Sequence, residues 1–178
     1  GYGLAKKMLM VQLQAYREEF GFKSVYVIPT NLYGPKDHFS DLEGSHVIPA
    51  IIRKCLDAKR AGDATIPAWG TGSATREFLY VADAAKAIVM AAQDCDEPDP
   101  INLGAGQEIS IRDLVYLVRE LTGFSGEVDW DTTKPDGQPR RMLDTSVAEQ
   151  RFGWTAQTSL RAGLKETIDW FTGVYEPV

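Results

Sequence analysis

The chain has 178 residues, 44% of them hydrophobic and 25% charged, and a net charge of −6. That composition supports a packed core and argues against a disordered segment. The acidic balance lacks the basic excess of a nucleic-acid binder, and no run of about eighteen apolar residues is available to span a membrane.

The elements follow in order. Residues 2–20 place Leu9, Leu13, Tyr16 and Phe20 at spacings of three and four, which predicts an amphipathic helix stopped by Gly21. The β-branched run 24–30 reads as a buried strand, and 31–45 as a polar loop carrying Gly and Pro. Ser45 is the expected N-cap of a helix over about 46–60. Strands are expected at 65–69 and 77–81, and Asp83 is expected to cap the next helix. After the break at 98–100 come a strand from Ile101, a helix capped by Ser110, the strand 127–131, a proline-punctuated loop over 134–141 and two closing helices. Strands alternating with helices predict an α/β architecture.

Two cysteines, Cys55 and Cys95, and two histidines, His38 and His46, make no ligand cluster, so no metal is expected. Cys55 and Cys95 read as reduced thiols of a cytoplasmic protein. The start carries no apolar leader and enters directly into a helix, as a fragment or an engineered boundary would. Three GxG pairs occur, beginning at Gly1, Gly70 and Gly104, and none has the third glycine of a dinucleotide-binding turn.

Tyr2 and Lys6 are four apart, which puts both on one helix face. An ammonium beside a phenol favours the phenolate, so the pair suits proton transfer at a carbinol oxygen. A solvated helix start fits the same spacing. Beyond them lie PTNLYGP, SHVIPAIIRK, WGTGSATREFLYV, NLGAGQEISIRDL and KPDGQPRR. In order and spacing these resemble the extended short-chain dehydrogenase/reductases, whose site uses YxxxK. SHVIPA, the WGTG…REFLYV block and KPDG-x-PRR are similar to the GDP-L-fucose synthase branch. The resemblance runs from Tyr2 to about Phe171.

That resemblance implies the C-terminal part of such an enzyme, without the Gly-rich half. Residues 1–34 and about 77–106 would belong to the Rossmann layer, and about 35–76 and 107–178 to a substrate-binding domain. It implies epimerisation of GDP-4-keto-6-deoxy-D-mannose at C3 and C5 followed by reduction with NADPH, in a homodimer. Tyr2 would donate a proton at the C4 oxygen, and Lys6 would hold the nicotinamide ribose. Pro29, Thr30, Asn31 and Leu32 would wall the nicotinamide, with His46 adjoining both cofactor and sugar as the acid or base of epimerisation. An imidazole is suited to exchange of a proton alpha to a ketone; a solvent-facing histidine at a helix start is the plain alternative.

Lys54, Trp69, Arg76 and Asp136 are the candidate contacts to the GDP-sugar. Arginine can fork onto a diphosphate, an indole face can pack on a base or sugar, and a carboxylate can accept from hydroxyls. A salt bridge, a core anchor and a turn residue are the plain readings of Arg76, Trp69 and Asp136. Arginine is expected in some members where this chain has Lys54, and lysine cannot make a bidentate fork. Neither Cys55 nor Cys95 inherits a family role. A nucleotide-sugar binding module without turnover, or another extended member such as a 4-epimerase or 4,6-dehydratase, also fits the shared motifs.

Overall fold

The computed structural model describes residues 1–40 and 45–174. In chain order it contains α1 (Tyr2–Phe20), β1 (Val27–Pro29), β2 (Asn31–Tyr33), α2 (Val47–Ala61), β3 (Thr65–Trp69), β4 (Thr75–Tyr80) and α3 (Val81–Asp94). It continues with β5 (Ile101–Leu103), β6 (Glu108–Ser110), α4 (Ile111–Thr122), β7 (Glu127–Asp131), β8 (Arg140–Arg141), α5 (Ser146–Phe152) and α6 (Leu160–Val174). The architecture is α/β, as the alternation of patterns predicts.

β1 pairs in parallel with β5, Pro29 opposite Leu103. One residue later the chain changes partner: β2 runs parallel to β4, with Leu32 opposite Leu79 and Tyr33 opposite Tyr80. Thr30 is the pivot, its N–H donating to the Leu103 carbonyl at 2.9 Å. The expected strand over 24–30 is therefore shorter than its apolar run, and the expected loop begins with a strand. β4 also takes β6 antiparallel and β8 parallel, and β3 pairs with β7.

Strand alternation sends successive side chains to opposite faces. Tyr33, Phe78 and Tyr80 accordingly enter a core with Ile48, Ile52 and Cys55 of α2, Leu114 and Val118 of α4, and Leu164 and Phe171 of α6. Leu79 faces a second core with Ala84, Ala87 and Ala91 of α3, Ile101 and Leu103 of β5, and Phe152 and Trp154, against which Leu32 packs. β4 is the shared wall. α6 approaches it so closely that a methyl group at Gly163 would run into the Tyr33 phenol and stand 2.9 Å from the Tyr80 ring.

Gly21 ends α1 in the left-handed conformation, with its N–H on the Arg17 carbonyl. Ser110 caps α4, accepting from the Asp113 N–H at 3.0 Å. Two expected caps are corrected. The N-cap of α2 is His46, with no side-chain cap bond, while the Ser45 hydroxyl donates to the His38 carbonyl at 2.7 Å. Pro49 falls within the first turn of α2, where a missing N–H costs nothing. Asp83 does not cap α3. It is buried, and its Oδ2 accepts from the N–H groups of Gln157 and Thr158 at 3.0 and 2.7 Å, fastening the approach to α6. α1 differs from its amphipathic reading in packing: it has no buried residue, and Leu4, Met8, Leu9, Val11 and Phe20 stay exposed.

Candidate active site

A cleft of about 570 Å³ opens where the chain passes from β1 to β2. Its walls are Tyr2, the stretch Pro29–Leu32, His46 with Val47 and Ile48, Arg76 and Phe78, Ile111, and Asp136. Eight of the residues singled out in the sequence thus meet at one surface, carried by α1, the β1–β2 pivot, the start of α2, β4 and the loop after β7. The carboxyl ends of parallel strands at a change of partner are where open α/β sheets leave a ligand crevice.

Tyr2 is 80% exposed at the first turn of α1. Lys6 sits one turn behind, its ammonium 5.5 Å from the Tyr2 ring centroid, outside the cleft wall. The Tyr26 hydroxyl donates to the Lys6 carbonyl at 2.8 Å and ties this turn of α1 to the segment that enters β1. Across the opening, the Thr30 hydroxyl and Asn31 amide both donate to the Glu77 carbonyl, at 3.3 and 2.9 Å, so the pivot is anchored on β4. His46 is widely exposed, with Nδ1 3.4 Å from Oδ1 of the largely buried Asp37.

Arg76 leaves β4 toward the loop after β7, where its Nη1 donates to the carbonyls of Thr75 and Gln138, both at 2.7 Å. The Asp136 carboxylate is engaged as well: Oδ1 accepts from the Thr71 N–H and Oδ2 from the Thr71 hydroxyl, both at 2.7 Å. Those bonds, led by the Thr71 hydroxyl, hold its carboxyl below the usual range. They clasp the loop to the turn after β3, where Gly70 has φ +74° and a Cβ would collide with the Asp136 carboxylate. Asp136 therefore borders the cleft as a fastener of its rim.

Lys54 and Trp69 lie in an adjoining pocket of about 260 Å³, which shares Val47 and Ile111 with the cleft. The Lys54 ammonium donates to the Pro67 carbonyl at 3.1 Å, and burial pulls it below its usual range. Trp69 is 63% exposed, with the Lys134 ammonium 5.8 Å from its ring. Cys55 is buried in the first core, and burial pushes its thiol up to about 11, where it stays protonated at neutral pH.

Sequence reasoning missed Glu77. Its side chain is fully buried, Oε1 accepting from the Gly106 N–H at 2.8 Å and Oε2 from the Leu143 N–H at 3.0 Å. Gly104 is required beside it, since a Cβ there would stand 2.5 Å from Oε1. A glutamate inside an otherwise apolar strand pattern was the available signal.

The profile of the NAD dependent epimerase/dehydratase family matches residues 1–104, more than half the chain. The chain belongs to this family. Among curated members, GDP-L-fucose synthase 1 of Arabidopsis thaliana is 45% identical over 170 residues, 96% of this chain and 52% of the relative. A crystal structure of a GDP-L-fucose synthetase from Naegleria fowleri superposes with a TM-score of 0.90 at 31% identity, covering 98% of this chain and 55% of that one. The same Naegleria enzyme bound to NADP gives 0.88. This epimerase/dehydratase-family chain spans about half the length of the relatives it matches. No helix among its described residues is long and apolar enough to cross a membrane.

Proposed function

We propose that the chain supplies the sugar-binding and proton-transferring part of an NADP(H)-dependent epimerase/reductase that converts GDP-4-keto-6-deoxy-D-mannose to GDP-L-fucose. The supporting observation is the single cleft that gathers Tyr2, Pro29–Leu32, His46 and Arg76. Similarity to GDP-L-fucose synthases over 96% of the chain points to the same substrate.

The residues present fit the nicotinamide end of the cofactor. Pro29–Leu32 offer a short wall at the carboxyl end of β1, opposite a phenol with an ammonium one turn behind. Lys6 would hold the ribose hydroxyls there, and NADPH, when bound, supplies the hydride for the C4 carbonyl. Tyr2 donates its phenolic proton to the C4 oxygen as that carbon is reduced, and the nearby Lys6 ammonium stabilises the phenolate left behind. His46 takes the proton alpha to the ketone: the C–H bond breaks, its electron pair passes to the keto oxygen, and the imidazole gains the proton. Return of a proton to the carbon completes the exchange.

Arg76 sits on the opposite rim, where a guanidinium suits the diphosphate, and the Trp69–Lys54 pocket next door suits the nucleoside. The exposed apolar side of α1 is assigned to the rest of the enzyme and to pairing of two copies.

The test is solvent-deuterium incorporation at C3 and C5 of the keto sugar, read by NMR in the complete enzyme. His46→Asn is expected to abolish incorporation while NADPH-dependent reduction of an already epimerised keto sugar persists. Tyr2→Phe is expected to do the reverse. Incorporation at the wild-type rate in His46→Asn would remove the reading.

A further inference from the structure

Asp37 stands at the back of the imidazole. It follows Lys36, the one non-glycine residue with positive φ among the described residues, at +70°. That conformation costs free energy and persists where the surroundings over-determine it. The Asp37 N–H turns back to the Gly34 carbonyl at 3.4 Å, closing a tight turn directly after β2. The outcome is a carboxylate only 16% exposed beneath an imidazole that is 77% exposed.

The two carboxylate oxygens are unequal. Oδ1 accepts from the His38 N–H at 2.7 Å and lies 3.4 Å from His46 Nδ1. Oδ2 is buried and has no partner among the described residues. A buried oxygen of this kind calls for a reason, because the desolvation it suffers is left without return. The pair shares a depression of about 160 Å³ behind the pivot, and His46 borders both it and the cleft that holds Tyr2.

We propose that Asp37 is a positioning residue for His46, gripping the imidazole by Nδ1 so that Nε2 is presented to the sugar. This rests on His46 as the proton-exchanging group. The two ring nitrogens point away from each other, so the edge facing Asp37 leaves the other edge for the cleft. The hydrogen bond made by one nitrogen selects the tautomer. Nδ1–H donating to Asp37 leaves the lone pair on Nε2, the form that can take a proton from carbon. Once that proton is taken, the imidazolium lies against a carboxylate held in place by the His38 N–H and the Lys36 turn. The 3.4 Å separation is longer than a formed N–H···O bond, and such contacts commonly tighten when substrate is bound.

The experiment is ¹⁵N NMR of the histidine rings in the full chain, at a pH where the imidazole is neutral. Only His38 and His46 contribute signals, and His46→Asn assigns them. The wild type is expected to show His46 mainly as the Nδ1–H tautomer. Asp37→Ala is expected to shift it toward Nε2–H, whereas Asp37→Asn, whose carbonyl still accepts, is expected to keep Nδ1–H. A purely structural aspartate would leave the tautomer unmoved. A wild-type ring that is mainly Nε2–H overturns the proposal even if Asp37→Ala fails to fold, as does an unchanged tautomer in a folded Asp37→Ala. The measurement uses no sugar, so either result against Asp37 leaves His46 standing as the exchanging group. Survival of deuterium incorporation in His46→Asn would strike that reading instead.

Discussion

Replacing Glu77 by alanine is expected to destabilise the chain by about 2–4 kcal/mol. The figure follows from two bonds. Oε1 and Oε2 accept from the main-chain N–H groups of Gly106 and Leu143, at 2.8 and 3.0 Å, on two segments far apart in sequence. A buried donor left without an acceptor costs about 1–3 kcal/mol. Both bonds lie in part-buried surroundings, which favours the lower half of that range for each. Glutamine keeps one acceptor and turns an amide N–H toward the other donor, so Glu77→Gln is expected to lose about half as much. Urea unfolding followed by tryptophan fluorescence measures both variants, since Trp154 sits in the second core. The order wild type, glutamine, alanine is expected in the midpoints at constant slope. Losses within about 0.5 kcal/mol for both variants, the scale of a neutral surface change, would refute the reasoning. Thr30 and Asn31 rest on the Glu77 carbonyl, so a shifted β4 would also move the cleft wall.

Asp136 links pH to the rim of the cleft. Its folded carboxyl is held below its ordinary value of 3.8 by Thr71, so its contribution is fully present above that value and is lost as pH falls through the folded one. Acid unfolding below about pH 3.8 is therefore expected to be steeper in the wild type than in Asp136→Asn; parallel acid limbs in circular dichroism would count against it. Calorimetry is expected to show GDP binding to the 178 residues and no tight NADPH binding, because none of the GxG pairs completes a dinucleotide-binding turn. NADPH binding tighter than GDP would reverse that expectation.

What was legible in the sequence was what short-range rules govern. Period and caps located α1 and α4, and a spacing of four put Lys6 behind Tyr2. Tyr2, Pro29–Leu32, His46, Arg76 and Asp136, which were chosen by motif, line one cleft. The misses share one cause. Asp83 was read as a local cap and instead binds main chain 74 and 75 residues away. Glu77 reaches a donor 66 residues away. A carboxylate and a distant amide leave no periodic trace, because the main-chain donor is common to nearly every residue type. The pivot at Thr30 was hidden for a related reason: one apolar run feeds two strands, and only the ladder partners separate them.

Tyr2 and His46, the two groups proposed to handle protons, ride on supports of different kinds. His46 begins α2, whose Ile48 and Ile52 are locked in the first core, and Arg76 lies on β4, which that core also uses through Phe78. Dense packing of this sort permits little displacement. Tyr2 rides on α1, which buries no residue. Its ties to the rest of the chain include Tyr26 to the Lys6 carbonyl and Arg17 to the Ser24 carbonyl and the Asp96 carboxylate, beside an edge-on contact of Tyr16 with Phe22. Of these, the exposed bond from Tyr26 to Lys6 contributes about 1 kcal/mol or less, and the exposed pair of Arg17 with Asp96 adds little. Covering the exposed apolar side of α1 is therefore expected to hold the phenol more firmly. Under the proposed function, exchange at C3 and C5 would draw on the packed wall behind His46, whereas protonation at C4 would draw on the more weakly held α1.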